Sequence, residues 1–289
     1  MSNQTIAYQG TQGAHSHVAC SRAYPYHTSN PYPQFADVFN AVEQGEVELG
    51  MIPIGNSYAG RVAEIHHLIQ HTTLHIVGEY MLPIEHHLLA PKGATLDSIK
   101  IVHSHPQALM QCKDHLAKQG FEPSPQPNTA IAAEMVAQQK KTTQAALASE
   151  LAAELYDLEI IERNMQDATD NRTLFLALSK EPYDPDPDSN AAILTTILFT
   201  TRNIPAGLYK ALGGFATNNV NLVKLESYIP EGKSDSAQFF ITFQGHPSKR
   251  SVQLAIEELG FFSNKVRVLG VYEADASRNA WLNLKNLLK

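Results

Sequence analysis

Residues 181–190 read Glu-Pro-Tyr-Asp-Pro-Asp-Pro-Asp-Ser-Asn, three prolines and four acidic side chains in ten positions. Proline lacks an N–H and fixes its own φ, so no helix or central strand tolerates such a run. The run predicts a domain boundary. The 289 residues then divide into a first domain, 1–182, a second domain, 191–275, and a tail, 276–289. One core of ~150 residues rarely absorbs a chain this long, so two domains agree with its length.

Before the boundary, short apolar runs alternate with helical patterns. Strands are predicted at Ile6–Gln9, Leu49–Ile54, Ile99–His103, Gln144–Ala148 and Leu176–Leu178. Helices are predicted at Phe35–Glu43, Arg61–Ile69, Pro106–Lys118 and Thr129–Gln138. This alternation implies an α/β domain with parallel sheet covered on both faces. A change of rhythm near residue 80 suggests two lobes, about 1–80 plus 165–182, and 81–164. In such folds ligands sit outside the carboxyl ends of strands, near helix N-termini.

After the boundary the order changes. Ile193–Phe199 reads as a strand, Pro205–Phe215 as a helix, and Val220–Ser227 and Ala237–Phe243 as strands. A helix at Ser251–Leu259 and a strand at Val266–Val271 complete a βαββαβ, ferredoxin-like unit. In the tail, Trp281, Leu284 and Leu288 fall along one side of a short helix.

Charge limits the partners. Residues 1–190 hold 11 basic and 22 acidic side chains, and the rest hold 11 and 7. An acidic large domain repels a phosphate backbone, so nucleic acid is not an expected partner. A small anion must be held by local dipoles and a few placed donors. No apolar stretch approaches ~18 residues, and the start has no basic cap before an apolar run, so neither membrane span nor signal peptide is expected. Cys20 and Cys112 form no CxxC and fit a reducing cytoplasm. Twelve of the 13 histidines precede residue 116, but no HExxH or other ligand set appears, so no metal is expected.

Four segments carry candidate chemistry. Gly10-Thr11-Gln12-Gly13-Ala14-His15-Ser16 follows the first strand, and its glycines let backbone approach a ligand. Pro53-Ile54-Gly55-Asn56-Ser57 ends another strand and supplies uncharged donors. His103-Ser104-His105-Pro106-Gln107-Ala108-Leu109 joins a strand to a helix, with Ser104 placed to cap it, Pro106 in its first turn and Gln111 one turn on. Asn171-Arg172-Thr173-Leu174-Phe175 opens the last strand. There Thr173 and Phe175 share one face, and Arg172 and Leu174 the other. Taken singly, each is also an ordinary turn, cap or strand.

As an ordered set they resemble prephenate dehydratase, from about residue 5 to residue 273. The family's Gly-x-x-Gly-x-x-Ser falls on Gly10, Gly13 and Ser16. Its Ser-His-Pro-Gln-Ala-Leu is intact at Ser104–Leu109, with the following Gln at Gln111. Its Pro-Ile-Glu-Asn-Ser and Asn-x-Thr-Arg-Phe appear with Gly55 in place of the acid and Leu174 in place of the arginine. The resemblance implies a two-lobed catalytic domain like periplasmic binding proteins, followed by an ACT domain that senses L-phenylalanine. It implies conversion of prephenate to phenylpyruvate with loss of water and carbon dioxide, in a cytoplasmic homodimer or homotetramer and without a cofactor. Catalytic roles fall on Thr173, Asn56, Ser104 and Gln111, and substrate binding on Ser16, Ser57, Asn171, Arg172 and Phe175. Arg172, two residues before Leu174, is expected to reach back as a substitute carboxylate clamp. Regulatory binding falls on Ala206, Gly207, Leu208, Asn221, Leu222, Glu226 and Ser227, with Tyr228 in place of a cation. The two replaced site residues keep two alternatives open: a prephenate decarboxylase that retains the hydroxyl, and a silent phenylalanine- or prephenate-binding protein.

Overall fold

The computed structural model describes residues 4–229 and 237–278. In chain order the elements begin β1 (Thr5–Gln9), α1 (His15–Ala23), β2 (Thr28–Tyr32), α2 (Phe35–Gln44), β3 (Leu49–Asn56), β4 (Gly60–Arg61), α3 (Ala63–His71) and β5 (His75–Pro83). Next come β6 (His87–Ala90), β7 (Ile101–Ser104), α4 (Pro106–Gln111), α5 (Lys113–Gln119), β8 (Glu122–Pro125), α6 (Thr129–Gln139), β9 (Gln144–Ala148), α7 (Glu150–Leu155), β10 (Glu159–Glu162) and β11 (Arg172–Ser179). The last group is β12 (Ile193–Thr201), α8 (Gly207–Thr217), β13 (Leu222–Tyr228), β14 (Gln238–Gln244), α9 (Arg250–Phe261) and β15 (Ser263–Glu273). Residues 181–190 contain neither helix nor strand. The expected tail helix, with Trp281, Leu284 and Leu288, lies outside the described residues.

Three sheets form, in the orders β2-β1-β3-β11-β5 with β4 on β3, β10-β6-β9-β7-β8, and β13-β14-β12-β15. The first two are mixed rather than parallel. β1–β2, β7–β8 and β7–β9 run parallel, whereas β3–β4, β6–β9 and β10–β6 run antiparallel. Two strands absent from the expected set carry prolines, β2 with Pro31 and β8 with Pro123 and Pro125. Both are edge strands, where a missing N–H removes no ladder bond.

Two compact units are present. One comprises 1–41, 50–62 and 82–175, and the other 42–49, 63–81 and 176–289. In the first unit, alternation along β9 sorts the core into two layers. Ala145 and Leu147 pack with Leu88, Val102, Leu109 and Leu116, while Ala146 and Ala148 pack with Leu89, Ala132, Val136 and Ala152. Successive strand residues point to opposite faces, so α4 and α5 cover one side of the sheet and α6 and α7 the other.

The second unit contains the four-stranded antiparallel sheet in β-α-β-β-α-β order. Ile197, Phe199, Ile241 and Phe243 pack on Ala211, Phe215, Ala255 and Leu259 of its two helices. A Cβ on Gly214 would stand 2.8 Å from that of Glu258, so glycine is what lets α8 and α9 approach. In the same unit the carboxylate of Glu79, 1% exposed, receives two bonds from Arg278, Nε at 2.6 Å and Nη2 at 2.8 Å.

Candidate active site

A tight hairpin builds one wall of the site. The Asn56 Oδ1 accepts from the backbone N–H of Tyr58 at 2.9 Å and of Ala59 at 2.8 Å, and Gly60 takes φ +78°. The chain therefore reverses, and Arg61 pairs directly with Gly55 across the hairpin. The sequence reading put Arg61 at the start of a helix, but the helix begins only at Ala63. An Asn followed four residues later by a Gly was the available turn signal.

Closing that turn fixes the other end of the same amide. The Asn56 Nδ2 donates to Asn171 Oδ1 at 2.8 Å, to Thr173 Oγ1 at 2.9 Å and to Arg172 O at 3.1 Å. Two protons serve three acceptors, so one bond is shared. Because Thr173 Oγ1 accepts from Asn56, its own hydroxyl proton is available to another acceptor. Asn171 is 3% exposed, and its Nδ2 has no hydrogen-bond partner.

The facing wall comes from β7, α4 and the start of α1. Here the structure corrects the helix cap expected of Ser104. Its side chain is fully buried and donates to Leu147 O at 2.7 Å, and the ring of His105 caps α4 by accepting from the N–H of Gln107. One turn on, Gln111 Oε1 lies 3.0 Å from His86 Nε2. Burial pushes the His86 pKa down to about 3, so the ring is neutral near pH 7. A neutral ring that donates through Nε2 leaves the Gln111 –NH2 group as the outward-facing donor. His15 meets His86 edge-on at 5.2 Å, and burial lowers its pKa as well. At Gly13, φ is +84° and a Cβ would come within 3.0 Å of Ala152, so the turn before α1 requires glycine. His15 and Ser16 open α1 rather than ending the turn.

These walls enclose a cavity of about 340 Å³. Six of the residues expected at the site line it: Ser16, Asn56, Gln111, Asn171, Thr173 and Phe175. Ser104, Ser57 and Arg172 do not. Ser57 Oγ instead receives the Arg172 N–H at 3.0 Å and donates to Asp170 O at 3.4 Å, tying the hairpin to the loop before β11. Arg172 and Leu174 fall on the strand face away from Thr173 and Phe175, as the two-residue period dictates, and Arg172 does not line the cavity. Arg61, His15, His86, His105, Gln107 and Asn128 also line the cavity, and the sequence reading gave none of them a role. A second cavity of about 240 Å³ lies beyond His15 and carries Glu85, Glu150 and Glu154. Among the described residues no group of three or more His, Cys, Asp or Glu is arranged to hold a metal. His67 and His71 merely stack edge-on at 5.3 Å.

A family model for prephenate dehydratase matches residues 6–183. The chain belongs to the prephenate dehydratase family. A bifunctional N-acyl-homoserine lactone acylase/prephenate dehydratase from Komagataeibacter europaeus is 43% identical over 273 residues, covering 94% of this chain and 97% of that protein. Arogenate dehydratase 2 of Petunia hybrida is 37% identical over 285 residues, covering 94% and 72%. The crystal structure of prephenate dehydratase from Arthrobacter aurescens in complex with L-Phe has a TM-score of 0.83 at 25% identity, covering 96% and 98%.

In this prephenate dehydratase relative the residues expected to bind an effector fall into two groups on the second unit. Ala206, Gly207 and Leu208 start α8, and Ala206 takes a left-handed conformation, φ 58° and ψ 30°. Glu226, bonded to Lys224 at 3.0 Å, and Ser227 stand at the same end of the sheet, because β13 ends opposite the start of β14. Asn221 and Leu222 stand at the other end of β13, with the Asn221 Nδ2 donating to Gln244 Oε1 at 3.1 Å. Leu222 and Tyr228 are the two ends of this strand of 7 residues, roughly 20 Å apart. One copy of the unit therefore does not gather all seven. No described helix is long and apolar enough to cross a membrane.

Proposed function

We propose that the chain converts prephenate to phenylpyruvate, with release of carbon dioxide and the ring hydroxyl. One observation carries this reading. Asn56 donates to Thr173 Oγ1, which leaves the threonine proton available to a ligand in a cavity where Asn171 Nδ2 lacks an acceptor. Prephenate brings two carboxylates, an apolar ring and a leaving hydroxyl. Phe175 packs beside the ring, Ser16, Gln111 and Asn171 donate to carboxylate oxygens, and Thr173 donates to the departing oxygen. As the carboxylate carbon leaves as carbon dioxide, its bonding pair enters the ring and the carbon–hydroxyl bond breaks. Solvent supplies the proton that completes the water. A placed donor at developing charge contributes about 2.7–4 kcal/mol, and aromatisation supplies the driving force. The scheme uses no metal or organic cofactor.

Regulation by L-phenylalanine through residues 191–275, read as an ACT domain, is part of this proposal. The separation of 206–208 from 221–222 on one copy favours a site completed by a second copy, in a homodimer or homotetramer. The reading places the enzyme in the cytoplasm. A turnover assay on the purified chain, following phenylpyruvate by its ultraviolet absorbance with and without L-phenylalanine, tests it. Carbon dioxide release without phenylpyruvate would mark a non-dehydrating decarboxylase. Calorimetric binding without turnover would mark a silent sensor. The Komagataeibacter relative's name carries a second activity, so hydrolysis of an N-acyl-homoserine lactone is measured alongside.

A further inference from the structure

A carboxamide has two ends of opposite character. Its oxygen accepts and its –NH2 group donates, and a half-turn exchanges them with little change of shape. On the cavity wall this choice falls on Gln111, and the atom that makes it is His86 Nε2, 3.0 Å from Gln111 Oε1.

Both partners are tied to one loop. The His86 N–H donates to Gln166 Oε1 at 3.0 Å, and the Met165 N–H donates to His86 O at 2.8 Å. The Asp167 N–H donates to Gln111 O at 2.8 Å, and the Asp167 carboxylate accepts from the N–H groups of Asp114 at 3.1 Å and His115 at 3.3 Å. Residues 165–167 therefore fix the backbones that carry both side chains. The His86 ring, 2% exposed, is confined further by the edge-on ring of His15, whose own Nε2 lies 3.3 Å from Glu85 O.

The other nitrogen of the His86 ring settles which end of the amide faces it. His86 Nδ1 is buried and has no hydrogen-bond partner among the described residues. A neutral imidazole carries a single N–H. On Nδ1 that N–H would be buried without an acceptor, and the bare Nε2 would take the amide –NH2, turning the Gln111 oxygen to the cavity. On Nε2 it donates to Gln111 Oε1 and leaves only an unfilled lone pair at Nδ1. A buried N–H without an acceptor is the rarer and costlier case.

We propose that His86 is a positioning residue: held by Met165 and Gln166, it donates from Nε2 to Gln111 Oε1 and so locks the Gln111 –NH2 group toward the cavity. This inference rests on the dehydratase reading, in which Gln111 donates to a substrate carboxylate, and names what orients that donor. His86 acts through Gln111 rather than on the substrate itself.

The test is a double-mutant cycle in the full chain, His86→Phe with Gln111→Ala, read as kcat and KM for prephenate. Phenylalanine keeps a flat ring in place and removes the donor. His86→Phe should raise KM about tenfold with kcat within about twofold, the scale of one hydrogen bond to a charged group. In the Gln111→Ala chain the same substitution should change KM by less than about twofold, because no amide remains to be oriented. A purely structural role would cost the same in both backgrounds. Heteronuclear NMR of the histidine ring nitrogens in the unaltered chain, with the His86 signals assigned by their loss in His86→Gln, should place the proton on Nε2. A proton on Nδ1, or equal losses in the two backgrounds, overturns the inference. If His86→Phe does not fold, the ring spectrum decides alone. If the unaltered chain turns over no prephenate, the dehydratase reading fails instead, and the ring spectrum still decides which way the Gln111 amide is locked.

Discussion

The Asn56 Nδ2 lies 2.9 Å from Thr173 Oγ1, and the same amide's oxygen closes the turn that follows Asn56. One side chain therefore shapes the hairpin and aims the hydroxyl. Thr173→Val keeps the shape of the side chain and removes the donor. It should lower kcat by about 10²–10³-fold with KM nearly unchanged, read as initial rates of phenylpyruvate formation. Asn56→Ala should lose rate as well, but also thermal stability, because two turn N–H groups lose their acceptor. A variant at 56 with a normal melting temperature and normal kcat would separate the amide from both roles.

Acid should unfold the first unit early, for a reason that lies in its histidines. His86 has a native pKa of about 3 against an ordinary 6.5, and that of His15 is lowered too, both chiefly by burial. Between pH 6.5 and about 3 the unfolded chain binds a proton at His86 that the native chain does not. Stability is therefore full above the ordinary value and falls as pH drops through that window, by at most about 1.4 kcal/mol per unit from this residue. Melting temperatures from pH 7 to pH 4 should fall more steeply for the unaltered chain than for His86→Gln. Parallel slopes would assign the acid sensitivity to other groups.

Ser104 offers a contrast with Thr173. Its hydroxyl is spent on Leu147 O, so Ser104→Ala should cost about 1–3 kcal/mol in denaturant titrations while KM for prephenate stays within about twofold. A large change in KM with normal stability would return Ser104 to the substrate.

Ala206 occupies the left-handed region with φ 58°, a conformation that favours glycine. A side chain there costs roughly 1–2 kcal/mol, and glycine returns part of that gain as unfolded-state entropy. Ala206→Gly should raise stability by up to about 1 kcal/mol. Titration with L-phenylalanine would show whether the relaxed turn also tightens effector binding.

The residues themselves explain what was legible beforehand. The apolar runs at Leu49–Ile54 and Gln144–Ala148 announced β3 and β9, because buried strands carry their signal in composition. The face shared by Thr173 and Phe175 followed from a period of two, and that period already set Arg172 on the other side. Long-range pairings had no local signature. Nothing near Ser104 shows that its hydroxyl turns to a carbonyl 43 residues away, which leaves the cap to His105. Arg61 was hidden by the helix that starts two residues after it, and β2 and β8 by prolines that only an edge position accommodates.

The doubly bonded pairing of Glu79 with Arg278 bears on how this protein can be cut. A fragment stopped at the proline-rich run would keep Glu79 and discard both Arg278 and the Asp275 N–H that donates to the same carboxylate at 3.1 Å, whereas Arg278→Ala in the full chain would leave a carboxylate with 1% exposure and no guanidinium beside it. Stranding one member of such a buried pair costs about 3–5 kcal/mol, so that substitution should lower the melting temperature of the full chain. Anyone trimming the gene for a minimal catalyst should therefore carry the polypeptide through to Arg278.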